Sequence, residues 1–321
     1  MENILSIKNL NLFFKGETED YQALYDVNLN LKKGQMHALV GESGCGKTMT
    51  AMSIMRLLPR KAYIKSGNII FENENILEYS SSKMQNLRGN KVALIPQDPM
   101  TSLNPLYTIG DQLVESIKAH SKVTTNQALR KAREVMNLVQ IPDANNKLKF
   151  YPHEFSGGMK QRIIIAIALA CNAKILIADE PTTALDVTIQ KQIMDLIKEI
   201  QEEYGTTVLI ISHDLALVSN YADFVTVMYS GHVVEQATAN EFFLNPKHPY
   251  SVALLNSLPT TNLKLKLKTI TGAPPSIQEK ISGCKFHPRC NFYNAEICLN
   301  NIPKLNIVSE NHHSACLINP F

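Results

Sequence analysis

Glycines flank a single lysine in Gly41-Glu42-Ser43-Gly44-Cys45-Gly46-Lys47-Thr48, a spacing of the form G-x4-G-K-[ST] that can hold a chain of phosphates. Glycine lets the backbone curl until successive N–H groups point into one concavity, which suits anionic oxygens. A helix starting at its end adds a positive terminus. Lys47 can reach the β- and γ-phosphates of a nucleotide, and the Thr48 hydroxyl can ligate Mg²⁺, with Met49 beside it in the same turn. Ser43 and Cys45 fill variable positions, and Cys45 reads as a small residue that contributes its backbone alone.

A second site of possible chemistry is acidic. Ile175-Leu176-Ile177-Ala178-Asp179-Glu180 puts two carboxylates at the carboxyl end of an apolar run, the edge of a parallel sheet where ligands bind. Asp179 is placed to hold Mg²⁺ directly or through water. Glu180, one residue beyond the strand, is the better general base toward an attacking water.

The elements that must carry these residues are legible in the periodicity. Residues 1–34 alternate apolar and polar in short bursts, which reads as antiparallel strands broken by a polar loop at 15–20. A buried strand at 36–40 leads into the glycine loop, and a helix over 48–58 follows it, stopped by Pro59. Ala128, Ala132, Val135, Met136 and Val139 recur at helical spacing over 127–140. The runs 175–178 and 208–211 are short and wholly apolar, the pattern of strands buried on both faces. Between them Ile189, Ile193, Leu196, Ile197 and Ile200 form one helical face ending at Gly205. Strands alternating with helices predict an α/β fold with a parallel sheet. Beyond residue 240 prolines interrupt the chain, Leu263-Lys264-Leu265-Lys266-Leu267 alternates like an edge strand, and a boundary is expected between 1–240 and a small module at 241–321.

Phe155-Ser156-Gly157-Gly158-Met159-Lys160-Gln161-Arg162 opens the apolar stretch 163–170 and resembles the LSGGQ signature of ABC ATPases, with Phe for Leu and Met for Gln. That resemblance implies an ABC-type P-loop ATPase domain, with a RecA-like core and antiparallel β and helical subdomains. It also implies that Ser156, Gly157 and Gly158 close over ATP held by a second ATPase subunit rather than by their own loop. Gln97 then looks like the Q-loop glutamine, which senses Mg²⁺ or water beside the contact with the membrane subunits. Asp186, in Thr183-Ala184-Leu185-Asp186, looks like the D-loop aspartate near a dimer seam, and His213 like the switch histidine at the γ-phosphate. An aromatic residue stacking on adenine is expected early in the chain, where Phe14 and Tyr21 compete.

His248-Pro249-Tyr250 and Gly283-Cys284-Lys285-Phe286-His287-Pro288-Arg289-Cys290 resemble the C-terminal extension of oligopeptide and dipeptide importer ATPases, with nickel importers as close kin. The implied partners are two membrane-spanning permease subunits, a second ABC ATPase subunit and, indirectly, an extracytoplasmic substrate-binding protein. The implied location is the cytoplasmic face of the membrane. Cys284, Cys290, Cys298 and Cys316 crowd the tail without the C-x2-C knuckle of common zinc sites. Four thiolates suit a [4Fe–4S] cluster, with zinc and free or disulfide-forming thiols as alternatives, and His287, His312 and His313 as substitute ligands or surface residues.

Composition bounds the rest. With 321 residues, 45% hydrophobic and 19% charged, the chain can bury a large core and is not disordered. A net charge of +3 is no nucleic-acid footprint, which argues against the rival reading of a soluble ABC ATPase acting on nucleic acid or ribosomes. No apolar run approaches the roughly 18 residues of a membrane span, and the N-terminus carries no signal-peptide pattern.

Overall fold

The computed structural model describes residues 2–183, 185–258 and 270–321. The chain opens with long strands β1 (Asn3–Phe14) and β2 (Tyr21–Lys32), whose alternation buries Leu5, Ile7, Leu10, Leu24, Val27, Leu29 and Leu31. The polar loop falls between them as expected. The wholly buried β3 (Met36–Val40) runs into the glycine loop and α1 (Lys47–Met55). This helix ends earlier than the sequence suggested, because Arg56 turns left-handed at φ 49° and its N–H caps Met52 and Ser53 before Pro59 is reached. Strands β4 (Ala62–Phe71) and β5 (Glu74–Asn75) complete a four-stranded antiparallel sheet in the order β2-β1-β4-β5.

A helical region follows. It contains α2 (Ser81–Leu87), strand β6 (Val92–Ile95), the short α3 (Pro99–Ser102), α4 (Ile109–His120), α5 (Thr125–Leu138), α6 (Ala144–Lys147) and α7 (Gly157–Leu169). Thr108–Asp111 and Thr124–Gln127 each form a reciprocal capping box that starts α4 and α5. Strand β7 (Ile175–Asp179) is buried throughout and pairs in parallel with β6. Helix α8 (Val187–Tyr204) then presents Ile193, Met194, Leu196, Ile197 and Ile200 inward and ends at left-handed Gly205.

The chain continues through buried β8 (Thr207–Ser212), α9 (Leu215–Tyr221), β9 (Phe224–Tyr229), β10 (His232–Thr238), α10 (Ala239–Leu244), α11 (Pro249–Asn256), α12 (Ala295–Cys298), β11 (Asn306–Ser309) and β12 (His312–Ser314). Strand β9 pairs in parallel with β3 and antiparallel with β10, β12 adds to β10, and β11 to β12.

Two compact units emerge, residues 1–77 with 211–321, and residues 78–210. Residues 241–321, expected as a small module, fall within the first of these units. The reason lies in two long-range locks. Strand β12 pairs Glu235↔Ser314 and Gln236↔His313, and the buried Glu235 carboxylate accepts from the backbone N–H of Lys247 (2.7 Å) and His248 (2.8 Å) while meeting His312 Nε2 at 2.7 Å. The edge strand expected at 263–267 lies outside the described residues.

Candidate functional site

In the first unit, Gly41, Gly44 and Gly46 all take positive φ (146°, 78° and 107°), which curls the loop as the motif predicts. A Cβ on Gly41 would lie 2.2 Å from the Met228 carbonyl oxygen, and one on Gly46 2.7 Å from Leu24 Cδ2, so neighbouring strands enforce the glycines. Lys47 is buried, and its ammonium donates to the carbonyls of Gly41 (2.7 Å) and Glu42 (3.0 Å). These bonds centre the cation over the loop at the N-terminal end of α1, where the backbone N–H groups also collect. Burial pushes the Cys45 thiol up, against the pull of the adjacent Lys47, which fits a packed residue that contributes backbone and not a reactive thiolate. Phe14 and Tyr21 are cross-strand partners at the β1–β2 hairpin end. His213 is exposed just after β8, in a turn where Ser212 Oγ accepts from the Asp214 N–H at 2.9 Å and Asp214 caps α9.

In the second unit, buried Asp179 ends β7. Glu180 follows with φ 46°, directly before Pro181. A left-handed glutamate before proline is a strained conformation, held by its surroundings. Glu180 Oε2 accepts from Gln97 Nε2 at 2.9 Å and from Thr183 Oγ1 at 3.1 Å. The fold therefore joins Gln97 and Glu180 across 83 positions of sequence. Thr183 is a partner that periodicity could not identify, though it stands in the quoted Thr183–Asp186 stretch.

Ser156 is the N-cap of α7, its Oγ accepting from the Met159 N–H at 3.4 Å, and Ser156 and Gly157 are exposed. Gly158 has a packing duty as well, since a Cβ there would approach Ile189 Cγ2 of α8 to 2.9 Å. Asp186 caps α8 through Ile189 N–H at 3.0 Å, and its carboxylate is exposed.

Cys284, Cys290, Cys298 and Cys316 line one cavity together with His248, His287, Phe286 and Leu317. Burial pushes the Cys284 thiol up to about 11 and also raises Cys290. Among the described residues no three His, Cys, Asp or Glu side chains are arranged to hold a single metal ion. The substitute ligands are otherwise engaged: His312 is fully buried against Glu235, not at the surface, and His287 Nδ1 lies 2.8 Å from the Cys284 carbonyl oxygen. His313 pairs with Gln236 across the strands.

The loop also has partners that its motif could not announce. The Glu42 N–H donates to the buried Tyr250 hydroxyl at 2.9 Å, and its carboxylate forms a two-point pair with Arg289. Both partners stand inside tail motifs singled out by resemblance, yet nothing in their spacing names Glu42 as the target.

Residues 24–183 match the ABC transporter family model, and residues 234–298 match the model of the oligopeptide/dipeptide transporter C-terminal region. The chain is 46% identical to a probable peptide ABC transporter ATP-binding protein of Sinorhizobium fredii, covering 98% of this chain and 94% of that one. It is 45% identical to the dipeptide transport ATP-binding protein DppD of Bacillus subtilis, over 98% and 95% of the two chains. Against the oligopeptide transport ATP-binding protein OppD of the same organism it is 44% identical, over 97% and 87%. Among solved structures it resembles the dimeric post-hydrolysis state of the ATP-binding cassette MJ0796 bound to ADP and Pi, with a TM-score of 0.66 and 26% identity over 73% of this chain and 98% of that chain.

Proposed function

The chain belongs to the ABC transporter family, among the ATP-binding subunits of peptide importers, and from that premise we propose how its residues divide the work. It is the ATP-hydrolysing subunit of a peptide importer. Lys47 and the glycine loop 41–46 take the β- and γ-phosphates, and Thr48, Asp179 and Gln97 complete the shell of Mg²⁺. Glu180 is the general base for the attacking water, and His213 senses the γ-phosphate. The observation that carries this assignment is the Gln97–Glu180–Thr183 cluster. It aims a single carboxylate, in a strained backbone, at the end of a buried strand. Ser156 and Gly157, exposed at a helix start, and Gly158 behind them act on ATP held by a second ATPase subunit, as does Asp186 near the seam. The dimeric state of the MJ0796 cassette supports that arrangement.

Permease subunits supply the membrane passage, since no helix among the described residues is long and apolar enough to cross a bilayer. Met100, Leu106 and Tyr107, exposed just beyond Gln97, provide an apolar face for docking them at the cytoplasmic side. An extracytoplasmic binding protein selects the peptide.

The four tail cysteines hold a [4Fe–4S] cluster in this proposal. Cys284, Cys290, Cys298 and Cys316 would be its thiolate ligands. The observation behind this reading is that all four cysteines line one cavity. The cluster's chemistry there is that of a covalent staple for a loop-rich segment.

The test is reconstitution. The purified chain alone should hydrolyse ATP weakly and gain activity when the partner ATPase and permease subunits are added. Full activity from a monomer would overturn the shared-site reading.

A further inference from the structure

Glu42 is held at three points. Its N–H donates to Tyr250, its carbonyl oxygen accepts from Lys47 at 3.0 Å, and its carboxylate faces Arg289. Arg289 sits on a short helical turn, His287–Arg289, behind which Phe286 packs edge-on against Tyr229 and tilted against Tyr250. Its side chain is only 5% exposed, so it is no free surface arginine. Every N–H of the guanidinium has an acceptor. Nε donates to the Thr271 carbonyl (2.9 Å), Nη1 to Glu42 Oε2 (2.7 Å) and the Tyr229 hydroxyl (3.4 Å), and Nη2 to Glu42 Oε1 (3.0 Å) and the Gly272 carbonyl (3.1 Å). Such a fork fixes the direction of a carboxylate as well as its charge.

The charge matters because of where it stands. An anion in the phosphate loop opposes a polyanionic ligand, and the Lys47 ammonium already touches the Glu42 backbone at 3.0 Å. Arg289 engages both oxygens of the Glu42 carboxylate, so without it that charge is left unneutralised in the loop that carries Lys47. We propose that Arg289 is a positioning residue for nucleotide binding, which turns the Glu42 carboxylate away from Lys47 and leaves the lysine to the phosphates. The proposal rests on the reading that Lys47 binds nucleotide. It means that the tail, 247 positions away in sequence, tunes the ATP affinity of the loop.

The test measures KM and kcat for ATP in the assembled importer, and affinity for a fluorescent ATP analogue on the full-length chain. Arg289→Ala should raise KM about tenfold, the scale of one unneutralised charge beside a polyanion, with kcat within about twofold. Adding Glu42→Gln to the same chain should return KM to within about threefold of wild type, because the competing charge is gone. A purely structural role for Arg289 predicts no such rescue. A wild-type KM in Arg289→Ala, or a raised KM that Glu42→Gln leaves unchanged, overturns the proposal. Should Arg289→Ala fail to fold, Arg289→Gln keeps two donors without the charge and is held to the same outcomes. Lys47→Ala is the control. If it binds the analogue like wild type, the nucleotide assignment itself fails. If it loses binding while Arg289→Ala does not, only the role of Arg289 falls.

Discussion

Replacing Glu180 by glutamine isolates the proton-accepting role of this carboxylate from its structural one. The hydrogen bonds from Gln97 and from Thr183 arrive at the same oxygen of Glu180, Oε2, at 2.9 and 3.1 Å. A glutamine can present its amide oxygen at that place and accept both, so the cluster keeps its shape. The backbone at φ 46° is no harder for glutamine than for glutamate, so the strain is unchanged. What disappears is the base, and a positioned general base contributes about 10²–10⁴-fold to rate. The expected result is therefore a kcat lower by that factor, an increase of about 3–5 kcal/mol in the barrier, with Mg·ATP affinity within about twofold of wild type. Phosphate release by the assembled importer at saturating Mg·ATP reads the first quantity, and equilibrium binding on the same preparation reads the second. Turnover within a fewfold of wild type would refute the assignment of Glu180, and a parallel loss of affinity would refute the claim that the cluster is preserved.

Further outcomes follow from the buried polar groups. Glu235→Ala leaves the half-buried Lys247 N–H, the buried His248 N–H and the His312 ring without their acceptor, and at about 1–3 kcal/mol for each orphaned group the chain should lose roughly 3–9 kcal/mol. Urea unfolding monitored in the tail should show it, with Glu235→Gln less affected, and a loss under about 1 kcal/mol would contradict the lock. Burial holds His37 down to about 3 and His232 down to about 4, so below their ordinary value of 6.5 the unfolded chain takes up protons that the folded chain refuses. Stability is then complete above about pH 6.5 and lost as pH falls toward 4. A thermal midpoint that is flat or rising on acidification from pH 7 to 4.5 would be inconsistent with this, and His37→Gln should flatten the slope. Gly158→Ala forces a methyl group to 2.9 Å from Ile189 and should cost about 1–3 kcal/mol by overpacking, read as a lower urea midpoint even where no partner subunit is present.

The sequence by itself determined whatever depends on neighbouring residues. The curl of 41–48 is a local property, because positive φ at Gly41, Gly44 and Gly46 needs only glycine at those positions. The amphipathic face of α8, its stop at Gly205 and the capping boxes of α4 and α5 are equally local, set by a period of 3.6 and by side chains reaching backbone three residues away. Helix α1 ends before Pro59 because of the left-handed turn at Arg56, which a sequence does not display as it displays a proline. Tertiary structure decided everything that pairs distant charges. The tail looked separable because prolines and a change of texture mark it, yet Glu235 with His312 and Glu42 with Arg289 tie it to the β-strands and the phosphate loop. Gln97 meets Glu180, and Arg289 chooses Glu42, only after folding has brought them together across 83 and 247 positions. Many carboxylates on this chain could pair with a given arginine in solution, where such pairs are weak. Burial of the Arg289 side chain, with every donor of the guanidinium satisfied, is what selects the partner.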